Sequence, residues 1–296
     1  MIRVALRSVR AHAGQFLLTA LAVVLGVTFL SGTLALRGVL SDTFSALMSS
    51  TMTADLYVTG QPISGAQSGG GSGVLTEKID GAAAEQIARV DGMHAAHAAS
   101  SLSGTLVGAD GTPVTSTGAP TLIVPAFPDF PGWRLVAGRD PSGTGEIALE
   151  SDALRRSGLA VGDRTHLVVD GTPSEVTVVG ELTYGTSMAG ATIVAADPDW
   201  VMGVAAPDGK VAQIEITLAD GADTAAVSRQ ITDLLPDSDR LQTRAERIDE
   251  QNAYVESILG YVQTFLLVFV VLAMFVGSFI IMNTFAMSVR QRQKEF

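Results

Sequence analysis

The residues best suited to chemistry are two histidines three positions apart, His94 and His97, in the segment MHAAHAAS. Imidazole is a common zinc ligand, but a zinc site needs about three or four protein ligands. Two histidines do not complete such a set, so we interpret this pair as incidental. Asp197 and Asp199 flank a proline in AADPDW, a pattern that is typical of a turn or a helix cap. We therefore predict no metal site.

Motifs for catalysis are absent from the sequence as well. It contains no Gly-x-Ser-x-Gly elbow, no Walker lysine motif, no His-Glu-x-x-His and no cysteine. The glycine-rich stretch GAQSGGGSG (65–73) lacks a following Lys-Ser/Thr pair, so we interpret it as a flexible loop and not as a phosphate site. We expect that the chain is not an enzyme, that it holds no cofactor, and that any energy source belongs to a partner.

A first membrane span is predicted at residues 15–38. The chain is 47% hydrophobic and only 17% charged, and no charged side chain lies between Gln15 and Leu36. The Leu, Val and Phe residues of that stretch together contribute roughly −4 to −7 kcal/mol to insertion. A cleaved secretory signal is the alternative, since Arg3, Arg7 and Arg10 precede the apolar run. We favour the span because the run exceeds the length of about 7–15 residues that is usual for a signal core.

A second span is predicted at residues 258–287, preceded by a stalk helix at 243–257. No charge occurs from Ser257 to Val289, and this stretch as a helix would extend about 50 Å, against about 30 Å for the hydrocarbon core. The helix would therefore project beyond the bilayer, and the helical spacing of apolar residues in TRAERIDEQNAYVESILGYV indicates that the stalk continues into the span. Small residues four apart in the two spans would permit close helix packing, namely Ala22 and Gly26, Ala273 and Gly277.

The charges predict the orientation of both spans. Residues 1–37 carry four arginines and no acid, and residues 290–296 carry three basic groups and one acid. Since Lys and Arg mark the cytoplasmic flank of a span, we predict that 1–14 and 288–296 are cytoplasmic and 39–242 extracytoplasmic, in a multi-pass protein of the plasma membrane. Residues 1–14 form either a basic helix in the interface of the lipid bilayer or simply the start of the first span.

The segment between the spans is strongly acidic. Residues 38–256 hold 12 Lys or Arg against 29 Asp or Glu, an excess of 17 negative charges. No basic face is available to neutralise phosphates, which argues against nucleic acid as a partner. At low salt such a surface favours cationic partners over anionic ones.

The same segment is long enough for a domain, and its pattern predicts an α+β fold. LYVTG (56–60) predicts a strand, and Asp170-Gly171 between two β-rich runs is a strong hairpin signal. Residues 79–93 predict a helix and 109–112 a hairpin turn. Residues 213–218 predict a half-buried strand. After it we predict an amphipathic helix with the inward side chains Val227, Ile231, Leu234 and Leu235.

Three stretches together resemble a known family. LRSVRAHAGQFLLTALAVVLGVTFLSGTL resembles the start of FtsX-like, MacB-type ABC-transporter permeases, and GRDPSGTGEIAL with VTVVGEL is similar to their extracytoplasmic core domain. GSFIIMNTFAMSVRQRQKEF is similar to the family's second membrane helix with its Asn-Thr-Phe and Gln-Arg segment. The resemblance implies a membrane protein in which two transmembrane α-helices flank an α+β extracytoplasmic domain of the MacB-like periplasmic core type.

The resemblance also implies a function and partners. Such a permease works with an ABC ATPase subunit, which binds the ATP, and with a second permease copy or half. ATP hydrolysis would be coupled to movement of the extracytoplasmic domain, for export or extraction of a substrate. The residues that would contact the ATPase, by their position in the family motif, are Arg290, Gln291, Arg292, Lys294, Glu295 and Phe296.

The chain departs from the family in its number of spans. Family permeases have at least four, and two are predicted here, so we expect this sequence to be the N-terminal part of a longer permease. Two alternatives stay open. One is a two-span sensor, which would continue into a kinase, cyclase or methyl-accepting region, and the other is a two-span scaffold that binds a partner through its external domain.

Overall fold

A computed structural model of the protein describes residues 24, 27–29, 31–35, 38–39, 45, 49, 52–63, 74–114, 121–184 and 191–293. For residues 184, 262, 270, 273–274, 277, 280–281 and 283–293 it describes the backbone alone. The chain divides into two compact units, one formed by Met1–Thr43 with Val255–Phe296 and the other by Phe44–Tyr254. The predicted glycine-rich loop at 65–73 lies outside the described residues.

The described residues between 24 and 39 are helical. At the other end of the sequence one uninterrupted helix spans Arg244–Gln293 and includes the positions of the predicted stalk and second span. Counting only the described residues, no helix is at once long enough and apolar enough to cross a bilayer. The two spans therefore stay predictions from the sequence.

The Phe44–Tyr254 unit is an α+β domain. Its strands are β1 Leu56–Gly60, β2 Ile79–Asp80, β3 Met93–Ala99, β4 Leu102–Leu106, β5 Thr121–Pro125, β6 Trp133–Gly138, β7 Glu146–Glu150, β8 Arg164–Val169, β9 Thr172–Tyr184, β10 Thr192–Ala196, β11 Lys210–Val211, β12 Gln213–Leu218 and β13 Asp239–Thr243. The helices of the chain that have defined bounds are α1 Ala83–Ile87, α2 Ser151–Ser157, α3 Pro198–Ala205, α4 Thr224–Leu234 and α5 Arg244–Gln293.

One sheet has four antiparallel strands in the order β13-β1-β12-β3. Leu56, the first residue of β1, pairs with Thr243 of β13 and with Ile216 of β12. One face of the sheet is apolar because Leu56, Val58, Ile214 and Ile216 alternate with polar residues along the strands. Helices α1 and α4 cover this face, and the core that they form with it contains Ile87, Val227 and Ile231, which are all buried.

The other sheet has seven strands in the order β6-β9-β7-β10-β5-β4-β8. Its β5–β10 and β7–β9 pairs are parallel, and the other pairs are antiparallel. The β8–β9 hairpin turns at Asp170 and Gly171, whose φ angles of 48° and 77° are those that a tight two-residue turn requires. Helix α2 packs on this sheet, and its first amides, those of Asp152 and Ala153, donate to the Glu150 carboxylate.

Several elements agree with the sequence analysis. Strand β1 covers the predicted residues 56–60, and the Asp170-Gly171 hairpin is confirmed. The turn at 109–112 is closed by an antiparallel bridge between Val107 and Pro113. Strand β12 and helix α4 lie where the alternating and amphipathic patterns predicted them.

Two of the predictions are wrong. The helix predicted at 79–93 is only the five-residue α1, because Ile79 and Asp80 pair with β11 and Met93 begins β3. Pairing with strands distant in sequence has here overridden the local helix propensity of GAAAEQ. Leu234 is exposed and not inward, whereas its neighbour Leu235 packs against the core of the four-stranded sheet.

In the described residues of this unit, the chain passes between the two sheets twice. The first passage is Ser100–Ser101, between β3 and β4, and the second is the segment 206–212, between α3 and β12. The Ser100 hydroxyl is buried and accepts a hydrogen bond from the backbone N–H of Ala212 at 2.9 Å. This bond ties the two passages to each other.

We expect Ser100→Ala to lower the free energy of unfolding by about 1 kcal/mol, the usual value of one buried hydrogen bond. Urea unfolding followed by tryptophan fluorescence is a suitable measurement, since both tryptophans, Trp133 and Trp200, belong to this unit. Ser101→Ala is the matched control. The Ser101 side chain is exposed, so this substitution should change the free energy of unfolding little. Equal effects of the two substitutions would contradict this role of Ser100.

Candidate functional site: a cleft between the two sheets

A cleft of about 270 Å³ opens where the two sheets meet. Its floor is formed by Gln213 and Glu215 of β12 with Ala99 of β3. Its opposite wall comes from the seven-stranded sheet and the loop that follows β5, and it consists of Val124, Pro125, Phe127, Phe130 and Trp133. Ser100 and Ser101 of the first passage, together with Ala212 of the second, close one side of the cleft.

A row of polar side chains crosses the four-stranded sheet at this floor. Glu215 is the direct register partner of Tyr57 on one side and of His97 on the other, and Tyr57 is in turn the partner of Gln242. Residues that are directly opposite in antiparallel strands share one face of a sheet. The row therefore lies on the face opposite the apolar core, with one member from each of the four strands.

Glu215 is the charged member of the row that faces the cleft. Its carboxylate oxygen Oε1 accepts a hydrogen bond of 2.6 Å from the Gln213 side-chain amide. Burial raises the pKa of this carboxyl to about 7, and the Gln213 bond offsets only part of that shift. Among the described residues no Lys, Arg or His forms an ion pair with it, so its negative charge is without a cationic partner.

Tyr57 is the largest fully buried side chain of the unit. Its hydroxyl oxygen accepts a hydrogen bond of 3.1 Å from the backbone N–H of Ala54, and its ring packs in a cluster with Phe127 and Phe130. Burial raises the pKa of Tyr57, and the charge of Glu215 raises it further. Tyr57 therefore stays neutral and contributes its ring to the support of the cleft.

His97 is held by two contacts at the edge of the row. Its ring stacks on Phe127 with a centroid distance of 4.1 Å, and its Nε2 lies 3.1 Å from the Asp129 carboxylate. His94 is exposed, and because β3 is a strand, residues three apart point to opposite faces. The two histidines cannot share one metal ion, and the described residues contain no group of three or more metal-ligating side chains.

Trp133 completes the cleft from the side of the seven-stranded sheet. Its indole Nε1–H donates to Asp140 Oδ1 at 2.9 Å, which fixes the ring at the start of β6. The nearby Arg139 donates a hydrogen bond of 3.2 Å to the Asp140 backbone carbonyl, and its guanidinium forms an ion pair with the Glu146 carboxylate. Asp197 acts as the predicted cap, accepting from the Trp200 amide at 3.1 Å at the start of α3.

The site residues predicted from the sequence lie elsewhere in the chain. Five of them belong to helix α5, where only the backbone is described at these positions: Ala273, Gly277, Arg290, Gln291 and Arg292. The other predicted residues lie outside the described part, namely Ala22, Gly26, Lys294, Glu295 and Phe296. Their roles in packing and in ATPase contact stay predictions.

The cleft itself escaped the sequence analysis. The alternation in QIEITL predicted a half-buried strand, but it did not indicate that the loop after β5 covers the face that carries Gln213 and Glu215. A signal was present in AFPDFPGW (126–133), where two phenylalanines and a tryptophan lie in a proline-rich loop. Large aromatic side chains in a loop need an apolar surface to cover, and here they cover the row.

Comparison with known proteins gives one sequence family. The profile of the MacB-like periplasmic core domain matches residues 16–234. An uncharacterized ABC transporter permease protein of Mycobacterium tuberculosis is 28% identical over 153 residues, which are 51% of this chain and 17% of that protein. This chain thus covers a minor part of that relative's length. The profile match confirms the resemblance drawn from the sequence motifs.

Solved structures overlap with the chain at low sequence identity. The periplasmic region of MacB from Actinobacillus actinomycetemcomitans gives a TM-score of 0.48 at 13% identity, over 66% of this chain and 91% of that one. The extracellular domain of the ABC-type transporter YknZ from Gram-positive bacteria gives 0.42 at 11% identity, over 64% of this chain and 99% of that one. The family assignment rests on the sequence profile.

Proposed function

The chain belongs to the family of MacB-like periplasmic core domains, and from this premise we propose that it is a permease subunit of an ABC transporter. The observation that carries the proposal is the profile match over residues 16–234, which includes the first apolar stretch as well as most of the α+β unit. The Mycobacterium tuberculosis relative, whose name describes an ABC transporter permease protein, supports the same function.

In this proposal the Phe44–Tyr254 unit is the extracytoplasmic domain, and it is carried by membrane helices at 15–38 and 258–287. Both ends of the chain are cytoplasmic. The proposal draws on the uncharged run from Gln15 to Leu36 and on the basic residues that flank both apolar stretches. The small residues of the two spans would pack against neighbouring helices of this or a second permease copy.

The chain is proposed to do no catalysis of its own. An ABC ATPase subunit would bind and hydrolyse ATP in the cytoplasm, and the permease would transmit the resulting movement to the extracytoplasmic domain, so that a substrate is exported or extracted. The basic segment that contains Arg290 and Arg292 would lie against this ATPase. We propose no cofactor for the permease chain itself.

The orientation can be tested with introduced cysteines, because the natural sequence has none. We expect Ser142→Cys, in an exposed loop of the α+β unit, to react with a membrane-impermeant maleimide in intact cells. Ser8→Cys should react only after the membrane is permeabilised, because residues 1–14 would be cytoplasmic. Labelling of both variants in intact cells would contradict the proposed topology.

The partner can be tested by affinity purification of the tagged full chain from membranes. We expect an ABC ATPase among the co-purified proteins, and we expect Arg290→Glu with Arg292→Glu to reduce its recovery by about tenfold, since reversed charges at a contact oppose binding. The matched control reverses two exposed arginines of the α+β unit, Arg134 and Arg229, and should leave recovery unchanged. If the natural chain retained no ATPase, the sensor or scaffold function would be favoured.

A further inference from the structure

We propose that the cleft between the two sheets is a binding site for a small organic cation, an ammonium group that carries apolar substituents. The site is distinct from the residues assigned to ATPase contact and helix packing. The proposal rests on three features of the cleft, which are its carboxylate, its aromatic wall and its size.

The carboxylate is that of Glu215, on the cleft floor. Its side chain is half-buried at the cleft and accepts one hydrogen bond from a neutral amide, that of Gln213. In the part of the chain that the structure describes, no cationic side chain forms an ion pair with it. A buried charge without a partner is costly unless something neutralises it. A ligand cation in the cleft would supply the missing charge.

The aromatic wall consists of Phe127, Phe130 and Trp133, which line the same cleft as Glu215. Aromatic rings attract cations through the negative charge of their faces, and alkylated ammonium ions are bound in this way because they lose little hydration. Val124 and Pro125 add apolar surface to the same wall. One carboxylate opposite several rings is thus suited to an ammonium ion with methyl or larger substituents.

The size of the cleft limits the ligand. A volume of about 270 Å³ accommodates a compact ion such as choline and is slightly below the range of about 300–1,000 Å³ that is typical of drug-sized ligands. The surrounding charge does not oppose this choice, because residues 38–256 carry 29 acidic against 12 basic side chains. A small ligand with one charge should bind weakly and reversibly.

Burial and the hydrogen bond from Gln213 determine how the charge of Glu215 responds to pH. Two titratable side chains flank Glu215, Tyr57 on β1 and His97 on β3, and His97 is bonded to Asp129. The positive charges of Arg244 and Arg247 favour ionisation of Tyr57. Since the pKa of Glu215 is raised to about 7, most of the carboxyl is neutral at pH 6 and ionised at pH 8. Binding of a permanently charged cation should therefore strengthen by about tenfold from pH 6 to pH 8.

The test is a fluorescence titration of the full chain in a nonionic detergent. The background substitution is Trp200→Phe, which leaves Trp133 in the cleft wall as the one tryptophan. We expect choline to change this fluorescence in a saturable manner, at constant ionic strength. Its neutral isostere 3,3-dimethylbutan-1-ol, which has the same shape but no charge, should bind at least about tenfold more weakly.

Two variants separate charge from structure. Glu215→Gln should weaken choline binding by about tenfold or more and remove its pH dependence, whereas Glu85→Gln, on an exposed surface of α1, should change neither. His97→Gln should preserve the pH dependence. Equal affinity for choline and the alcohol, absence of saturable binding, or full binding by Glu215→Gln would each overturn the proposal. No ATPase takes part, so a negative result would leave the proposed permease function intact.

Discussion

Glu215→Gln is expected to raise the free energy of unfolding at pH 8 by about 3 kcal/mol. In the folded chain burial raises the pKa of Glu215 to about 7, from an ordinary value of 4.5. The folded state then holds a proton that the unfolded state has lost, so stability falls as pH increases from about 4.5 to 7 and the full cost is present above that range. A rise of the pKa from 4.5 to about 7 corresponds to about 3 kcal/mol. Glutamine carries no charge and avoids this cost.

The measurement is urea unfolding of the full chain at pH 4 and at pH 8, followed by the fluorescence of Trp133 and Trp200. The variant should gain its stability at pH 8 and differ little from the natural protein at pH 4, where the carboxyl is protonated in both states. Glu85→Gln serves as control, since its side chain is 83% exposed and should give no such difference. A gain that is the same at both pH values would show that the burial of charge is not the cause.

Gly138→Ala is expected to lower the free energy of unfolding by about 3 kcal/mol. Gly138 ends β6 with a φ of 76°, in the left-handed region that costs other residues about 1–2 kcal/mol. It also pairs with Gly180 of β9 at a close approach, and an added Cβ would overlap the carbonyl oxygen of Val179. Forcing a methyl group against a backbone atom adds about 1–3 kcal/mol.

Gly143→Ala separates these two contributions. Gly143 has nearly the same φ, 77°, but no atom within 4 Å of an added Cβ, so its substitution should cost about 1–2 kcal/mol for the backbone alone. Urea unfolding at one pH compares the two variants directly. If both lost the same amount, the close approach of β6 and β9 at Gly138 would not matter for stability.

Local patterns were sufficient for elements whose own residues determine them. LYVTG alternates and is rich in β-formers, and Asp170-Gly171 adopts the positive φ angles of a tight hairpin, so both were predictable. The prediction of a helix at 79–93 failed because both ends of this segment pair with strands far along the chain. Ile79 pairs with β11, and Met93 pairs with β12. No local pattern contains the information about those partners.

The candidate site was less predictable than the fold. Its residues come from strands of both sheets, from the loop after β5 and from the two passages between the sheets. The adjacency of its floor residues follows from the pairing of β12 with β3, which sequence periodicity does not determine. The polar character of Glu215 indicated exposure, whereas Phe127 and Phe130 cover its face of the sheet. In contrast, family membership was readable from motifs, because it depends on residue order and not on contacts.

The register of β1 and β13 has a mechanical consequence. Leu56 begins β1, Thr243 ends β13, and they are direct partners, with the Arg244 N–H bonded to the Asp55 carbonyl at 3.0 Å just beyond them. The chain therefore enters and leaves this ladder at two neighbouring points. A tension that spreads these points apart would open the ladder one bond at a time, whereas a pull on both together leaves every bond of the ladder unstrained. The β1–β13 ladder thus resists spreading from this end only weakly.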